Sequence, residues 1–275
     1  MNQAFKTLQI KARHQVYSLL SGHSLSQLHG EGYDFSELRE YHLGDDIRKI
    51  NWTITAKLGK PYIKEFHANR ELSVVICAFM DGSLYFGSGN SKQKKLTEVA
   101  TLLGYATQQQ ADLFTGLCYT QKHTHFTPPT KQRYHIDTFS KILYETPLLG
   151  TSLDTHKAIQ DLFSKIHTPS LLFVLSDFLT EVDLSILAQK HEVIAIILRD
   201  EEEESPKILG EVQLTNPQNH SQKERYFGKK SIQNYLSKRK AHDAKLIAHF
   251  SQYHIPYVKI TTEDEVVGKL LTLFT

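Results

Sequence analysis

The sequence predicts an α/β protein: a doubly wound, mostly parallel sheet with helices on both faces. Two observations favour this class. Short apolar runs of strand length recur along the chain, and segments with apolar residues spaced three and four apart lie between them. Nearly continuous apolar runs are typical of strands buried on both faces, and their alternation with helices is typical of a parallel sheet. At 275 residues, the chain is long enough for one large domain or two small ones.

Five apolar runs are the predicted strands of this sheet. They are Leu72–Met80, Leu113–Tyr119, Ser170–Ser176, Val193–Leu198 and Tyr257–Ile260. Apolar residues at helical spacing predict helices over about 96–106, 136–143, 159–166, 183–190 and 263–274, with a longer one from about residue 231. Strands and helices are therefore expected to alternate through most of the chain.

The start of the chain has a different pattern, which predicts a small accessory subdomain at residues 1–71 ahead of a sheet domain at residues 72–275. A leading helix is expected over residues 2–20, and extended segments over 33–41 and 61–66. Between the extended segments, isoleucines at helical spacing over 47–54 predict a short helix. Asp46 is placed to cap that helix at its N-terminus.

Composition excludes several classes of protein. The chain has 32 Lys and Arg against 30 Asp and Glu, a formal net charge of +2, which disfavours a protein that coats nucleic acid. Its two cysteines, Cys77 and Cys118, lie in apolar runs and can form neither a disulfide framework nor a four-thiolate zinc site. No apolar run approaches the roughly 20 residues that span a bilayer, and no signal-peptide core is evident. A cytoplasmic location is therefore expected.

Two charged segments lie within this balanced total. Residues 200–204 are all acidic and predict a solvated loop. Residues 223–245 contain eight basic and two acidic residues, which gives a local net charge of +6. The basic segment is interpreted either as a solvated helix or as a surface that faces a protein partner. A nucleic-acid partner is not expected, because few aromatic residues accompany the basic ones.

Polar residues at the predicted strand ends form a candidate site. Asp81 and Ser83 follow the first strand of the sheet. Asp177 follows a later strand, and Thr151 lies in a loop between the two. Ligands of open α/β sheets bind beyond the carboxyl ends of the strands, and oxygen ligands without imidazole or thiolate suit Mg²⁺ or Mn²⁺. An aspartate at a strand end is also a common cap or turn residue, so a purely structural role stays open.

The spacing of these residues resembles that of von Willebrand factor A domains. In that family, a metal-ion-dependent adhesion site uses a D-x-S-x-S motif, a threonine from a later loop and an aspartate after the fourth strand. The resemblance implies a Rossmann-type sheet and a metal site formed by Asp81, Ser83, Thr151 and Asp177. Tyr85 replaces the last serine of the motif, and its phenol is too long to place an oxygen where the serine hydroxyl would lie. The site is therefore expected to bind metal weakly, to hold water or to be vestigial.

A second resemblance lies in the N-terminal region. The runs G-E-G-Y-D-F, R-E-Y and G-D-D-I-R-K-I-N-W resemble the signature of the domain of unknown function 58 family, whose members carry it ahead of a von Willebrand A-like domain. The signature residues are Arg39, Tyr41, Asp45, Asp46, Arg48 and Trp52. The sequence departs from the family at Asn51, where aspartate is usual, and at Lys57, where arginine is usual.

The signature residues have two interpretations. In the first, they attach the subdomain to the sheet domain, with Trp52 as a large apolar anchor and Arg39 or Arg48 clamping a carboxylate. In the second, they form a surface that recognises a partner. An Arg48→Ala variant separates the two: loss of fold stability supports attachment, whereas a stable protein that loses its partner supports recognition.

The resemblance implies a non-enzymatic adaptor that presents client proteins to a MoxR-type AAA+ ATPase. The alternative is a Mg²⁺-dependent phosphohydrolase or nuclease that uses Asp81 and Asp177, although no general base or phosphate-binding lysine is evident beside them. The glycine-rich run Gly82–Gly89 lacks the lysine of a phosphate-binding loop, and Lys92 comes too late to replace it. A third possibility is a structural scaffold that binds no metal.

Overall fold

The structure is a computed structural model that describes Ala12 and residues 35–42, 45, 47, 50–66, 71–86 and 91–273. The strands in this part of the chain are β1 (Phe35–Glu40), β2 (Tyr62–Phe66), β3 (Ser73–Phe79), β4 (Leu113–Tyr119), β5 (Thr124–Thr130), β6 (Leu171–Ser176), β7 (Glu192–Arg199), β8 (Gly210–Thr215), β9 (Gln222–Phe227) and β10 (Tyr257–Thr261). The helices are α1 (Trp52–Leu58), α2 (Lys92–Gln109), α3 (Arg133–Glu145), α4 (Thr155–Lys165), α5 (Ser185–Ala188), α6 (Glu201–Glu204), α7 (Lys229–Gln252) and α8 (Val266–Leu271). A turn of 3-10 helix spans Gly82–Tyr85.

The central sheet has six strands in the order β10-β7-β6-β3-β4-β5. Its neighbouring strands are parallel except for β4 and β5, which pair antiparallel at one edge. From β3 the chain first adds β4 and β5 on one side and then returns to add β6, β7 and β10 on the other. The strand order therefore reverses between β3 and β6. This topology confirms the predicted doubly wound α/β fold, and the five predicted strands are all present.

Helices cover both faces of the sheet, which explains why the predicted strands are continuously apolar. Ile76 of β3 belongs to a buried cluster that includes residues of α2, α3 and α8, whereas the next residue, Cys77, belongs to a second cluster that includes residues of α4, α5 and α7. Cys77 and Cys118 are buried free thiols, and burial raises the pKa of Cys118 to about 12, so it behaves as an inert core residue. None of the described helices is both long and apolar enough to cross a membrane.

Two exposed elements lie outside the five predicted strands of the sheet. The edge strand β5 contains Pro128 and Pro129, and its pairing with β4 is irregular at that point. Proline is tolerated at a sheet edge because its missing amide donor has no partner strand to bond. Strands β8 and β9 form a separate antiparallel hairpin whose residues are mostly exposed. A hairpin without a buried face shows little of the apolar alternation from which strands are recognised.

The prediction of a solvated loop at residues 200–204 is wrong. Asp200 caps helix α6 and forms a capping box with Glu203. Both residues are buried. The hydroxyl of Thr262 donates to Asp200 at 2.9 Å, and the ammonium of Lys92 donates to Glu203 at 2.7 Å. These two charges are buried because groups distant in sequence compensate them.

In the N-terminal region, β1 and β2 pair antiparallel and α1 lies between them in sequence. The Asn51 side chain caps α1 by accepting a hydrogen bond from the Ile54 amide at 3.4 Å. Gly59, with a φ of 72°, ends the helix in a left-handed conformation. The departure from the family at Asn51 is therefore conservative, because asparagine and aspartate cap helices about equally well.

The signature positions that the structure describes lie in or beside this hairpin. Arg39 belongs to β1. The Tyr41 amide donates to the Pro61 carbonyl at 2.8 Å, which continues the pairing beyond β1. The Asp45 carboxylate accepts a hydrogen bond at 2.8 Å from the backbone amide three residues earlier. Tyr41 therefore extends the hairpin beyond β1.

Trp52 does not act as the buried anchor that the attachment hypothesis requires, because 66% of it is exposed. The helix Trp52–Leu58 begins after the Asn51 cap. Asp46 and Arg48 lie outside the described residues, as does most of the predicted helix over 2–20. The subdomain boundary after residue 71 stays a prediction.

Candidate functional site

The candidate site lies at the point where the strand order of the sheet reverses. Strands β3 and β6 are parallel neighbours, so the residues that follow them meet at one rim of the sheet. Asp81 follows β3 and Asp177 follows β6. In open α/β sheets this position is where ligands bind. We refer to Asp81, Ser83 and Asp177 as the rim.

The 3-10 turn after β3 brings Ser83 between the two carboxylates. Asp81 caps this turn, and its Oδ1 accepts hydrogen bonds from the Ser83 amide at 2.8 Å and from the Ser83 hydroxyl at 2.5 Å. The same hydroxyl lies within hydrogen-bonding distance of Asp177 Oδ2. The structure therefore brings three of the four predicted metal-site residues together.

Thr151, the fourth predicted residue, reaches the turn through its backbone. Its carbonyl accepts a hydrogen bond from the Gly82 amide at 2.9 Å. Its hydroxyl donates to the Leu148 carbonyl at 2.6 Å and so serves its own loop. Tyr85, which replaces the last serine of the motif, is exposed. Neither side chain adds an oxygen to the rim.

The site also contains a buried lysine, which was not among the site residues predicted from the sequence. Lys92, the first residue of α2, donates from Nζ to Asp177 Oδ2 at 2.9 Å and to Glu203 Oε1 at 2.7 Å. Its side chain is 0% exposed. One signal in the sequence could have indicated this burial: Lys92 precedes Leu96 by four residues and therefore lies on the apolar face of the helix.

The ammonium of Lys92 determines the charge state of Asp177. Burial by itself would raise the pKa of this carboxyl group. The charge of Lys92, with the hydrogen bonds from Lys92, Ser83 and the Leu179 amide, outweighs burial and holds the pKa below the ordinary value of 3.8. Asp177 is therefore ionised at neutral pH.

The tip of the β8–β9 hairpin lies over the rim. Gln218 donates from Nε2 to Asp81 Oδ2 at 2.8 Å. The Pro217 carbonyl accepts a hydrogen bond from the Gly150 amide at 2.8 Å. A Cβ atom on Gly82 would lie 2.1 Å from the Pro217 oxygen, so only glycine permits this approach. Gly82 and Gln218 thus close the rim from above.

The side chains as arranged do not fit a divalent ion. Mg²⁺ requires near-ideal octahedral coordination by oxygen. At the rim, the Lys92 ammonium already binds Asp177 Oδ2 at 2.9 Å, and its positive charge would repel a divalent ion at the same oxygen. Within the described ranges, no group of three or more His, Cys, Asp or Glu side chains is arranged to hold a metal.

An open groove of about 680 Å³ begins at Ser83 and runs beside the rim. Its apolar lining residues are Phe86, Leu179, Leu209, Leu214, Phe227 and Tyr235. Lys207, Lys238 and Arg239 contribute the basic part of the lining. Arg239 pairs with Glu204, whereas Lys207 and Lys238 have no acidic partner among the described residues. Glu202 and Glu203 also line the groove. The groove therefore has an apolar floor and carries charges of both signs, including two lysines without an ion pair among the described residues.

A family model described as "Protein of unknown function DUF58" matches residues 37–245. The chain belongs to this family. The match extends from β1 into α7 and so includes the signature residues, the rim, Lys92 and the β8–β9 hairpin. Membership of DUF58 and the strand order together confirm the von Willebrand A-like α/β fold that the two resemblances implied.

Curated relatives of this DUF58 chain occur in mycobacteria. The uncharacterized proteins Rv1480 of Mycobacterium tuberculosis and Mb1516 of Mycobacterium bovis are each 27% identical to it over 223 residues. Each alignment covers 77% of this chain and 69% of the relative.

Solved structures similar to this chain include the conserved hypothetical protein BatB from Bacteroides thetaiotaomicron. It has a TM-score of 0.47 and 8% identity, and the match covers 74% of this chain and 96% of that chain. The SpRpn10 VWA domain has a TM-score of 0.38 and 10% identity, with 74% and 94% covered.

Proposed function

We propose that this chain is a cytoplasmic, non-enzymatic adaptor that binds a protein partner in the groove beside the rim. The observation that carries the proposal is the groove itself, in which several large apolar side chains are exposed together. Phe86, Leu179, Leu209 and Leu214 are all exposed in it, and Leu209 is 60% exposed. Clustered exposed apolar side chains with a polar border are typical of protein-binding surfaces.

The charges of the groove indicate the chemistry of the partner segment. Lys207 and Lys238 lack acidic partners among the described residues, so a bound segment that carries Asp or Glu would supply the missing charge. The apolar floor would take Leu, Phe or similar side chains. An apolar segment with one or two acidic residues matches both properties.

The partner class that we propose is a MoxR-type AAA+ ATPase, to which the chain would present client proteins. Membership of the DUF58 family supports this assignment, because the resemblance on which it rests implies such a motor as the partner. The exposed Trp52 offers a second contact surface, in keeping with partner recognition by the signature residues.

A hydrolase that uses Asp81 and Asp177 is less well supported by the geometry. A catalytic carboxylate must reach a substrate or an attacking water. Both residues are buried under the hairpin tip, and the Lys92 ammonium binds Asp177 Oδ2. A screen for phosphatase and nuclease activity with Mg²⁺ or Mn²⁺ tests this: activity that Asp81→Ala abolishes would replace the adaptor proposal.

Binding of the purified chain to a purified MoxR-type ATPase from the same cell tests the adaptor proposal directly. Leu209→Asp places a charge on the apolar floor and should weaken binding about tenfold or more. Tyr134→Asp is the matched control, because Tyr134 is 73% exposed but lies on α3, away from the groove lining. It should leave the affinity unchanged.

Two outcomes would reject the proposal. Equal affinities of wild type and Leu209→Asp would exclude the groove as the binding surface. Failure of purified ATPases of this class to associate, together with a pull-down from the source cell that recovers no AAA+ ATPase, would exclude the partner class.

A further inference from the structure

We propose that the ammonium of Lys92 takes the place of the divalent cation in this adhesion-type site, so that the rim is closed by a cation of the chain itself. The inference concerns how the rim is held together and does not depend on the identity of any partner. It accounts for four features of the rim that a metal site leaves unexplained.

The first feature is the position of the charge. Lys92 Nζ lies 2.9 Å from Asp177 Oδ2 and 2.7 Å from Glu203 Oε1, and the side chain is 0% exposed. The Ser83 hydroxyl approaches the same Asp177 oxygen. Because a hydroxyl carries a single proton, Ser83 cannot satisfy both Asp81 and Asp177 as charged groups. The Lys92 ammonium supplies Asp177 Oδ2 with a second hydrogen-bond donor and with a positive charge.

The second feature is that two side chains at expected ligand positions, those of Tyr85 and Thr151, add no oxygen to the rim. Tyr85 stands where a short hydroxyl ligand would be required and is exposed. The Thr151 hydroxyl bonds to the Leu148 carbonyl. An ammonium needs only a few acceptors, whereas a divalent ion needs about six oxygen ligands. A site closed by Lys92 therefore has no need of either oxygen.

The third feature is the burial of Glu203. A buried carboxylate without a compensating cation would be strongly destabilising. Glu203 accepts from Lys92, and its backbone carbonyl accepts from Arg239. Helix α6, in which a capping box orients Glu203, thus provides the second acceptor for the internal cation.

The fourth feature is the closure of the rim by neutral donors. Asp81 receives hydrogen bonds from Ser83 and, from the hairpin tip, from Gln218. A ligand-binding metal site of this kind keeps an open coordination position for a partner. Here Gln218 and Pro217 cover that approach, and the site resembles a closed structural centre.

Equilibrium binding of Mn²⁺ to the full chain, measured by electron paramagnetic resonance of the free ion, tests the proposal. The wild type should bind no Mn²⁺ at the rim. Lys92→Ala removes the internal cation but leaves Asp81, Asp177 and Glu203, and it should gain one Mn²⁺ per chain. The gained site should be lost in the Lys92→Ala/Asp177→Asn double variant.

Lys95→Ala is the matched control. Lys95 is also a buried lysine of α2 and pairs with Glu98 at 3.3 Å, away from the rim. Its removal takes one buried ammonium from the same helix but should create no Mn²⁺ site.

Two results would overturn the proposal. One is a wild type that binds one Mn²⁺ and loses it on Asp81→Asn or Asp177→Asn, a titration that decides the question even if Lys92→Ala does not fold. The other is a folded Lys92→Ala that binds no Mn²⁺, because the ammonium would then not occupy a cation site.

Discussion

Two ion-pair clusters each include one residue of the short helix α6. They differ in the number of basic side chains that contact each acidic side chain. The inner cluster is Lys92, Asp177 and Glu203, whose side chains are between 0% and 8% exposed. The outer cluster is Arg199, Arg239, Lys259, Glu204 and Asp243, in which exposure rises to 34%. Adjacent residues of α6, Glu203 and Glu204, therefore belong to different clusters.

The inner cluster depends on one described cation, whereas the outer cluster is redundant. Asp243 lies 2.9 Å from Arg199, 3.3 Å from Lys259 and 3.8 Å from Arg239. The outer cluster joins α7 to β7 and β10, which is a structural task. The inner cluster lies at the rim where ligands of this fold bind. Redundancy thus accompanies the cluster that joins three secondary-structure elements, whereas the cluster at the rim has a single described cation.

Removal of the inner cation should have the largest effect on stability. Lys92→Met leaves Asp177 and Glu203 buried without their cation, and we expect a loss of about 3–5 kcal/mol in the free energy of unfolding. Denaturant-induced unfolding measures it. The Lys92→Met/Glu203→Gln variant should recover part of the loss, because one uncompensated charge is gone. A loss below about 1 kcal/mol for Lys92→Met would erase the contrast between the clusters.

Removal of a cation from the outer cluster should cost less. Arg199→Met leaves Asp243 with Lys259 and Arg239, so we expect a loss of about 1–3 kcal/mol. Arg199 also has two buried nitrogens, Nε and Nη1, without acceptors among the described residues, and their removal offsets part of the cost. The same unfolding experiment applies, and a loss as large as that of Lys92→Met would show that the outer cluster is not redundant.

Acid should weaken the outer cluster through Asp243. Burial raises the pKa of this carboxyl group, but Arg199 and Lys259 outweigh burial and hold the pKa below its ordinary value of 3.8. A group with a lowered folded-state pKa stabilises the protein above its unfolded-state pKa, and this stabilisation is lost as the pH falls through the folded-state value. The free energy of unfolding should therefore fall below about pH 3.8 less steeply in Asp243→Asn than in wild type. Identical slopes would contradict the assignment.

The smallest effect is expected for the most exposed cation of the outer cluster. Lys259 contacts Glu204 and Asp243, each at 3.3 Å, with about a third of its side chain exposed. Lys259→Met should cost less than about 1 kcal/mol, and added salt should shrink the difference from wild type. A salt-independent loss would indicate that packing of the lysine stem, and not its charge, supports the cluster.

The sheet and the rim could be predicted from the sequence because both depend on local patterns. Each inner strand is marked by its own apolar run, and Asp81 and Asp177 follow two of these runs. Parallel strands place their carboxyl ends at one edge of the sheet. The proximity of Asp81 and Asp177 could therefore be predicted from the two strands alone.

The inner cluster could not be predicted in this way, because its contacts join residues far apart in sequence. Lys92 and Glu203 are separated by 111 positions, and Lys92 and Asp177 by 85. Helical spacing places Lys92 on the apolar face of α2, but it does not identify the acids that Lys92 contacts. The acidic run at 200–204 indicated solvent exposure by composition alone, and only the fold reveals that Glu203 faces a buried lysine.

A crystal structure of the wild-type chain grown with Mn²⁺ tests the central claim most directly, because anomalous scattering locates the ion and electron density locates Lys92. We predict density for the Lys92 ammonium between Asp177 and Glu203, with no anomalous peak at the rim. An anomalous peak coordinated by Asp81, Ser83 and Asp177, with Lys92 displaced from Asp177, would contradict the claim.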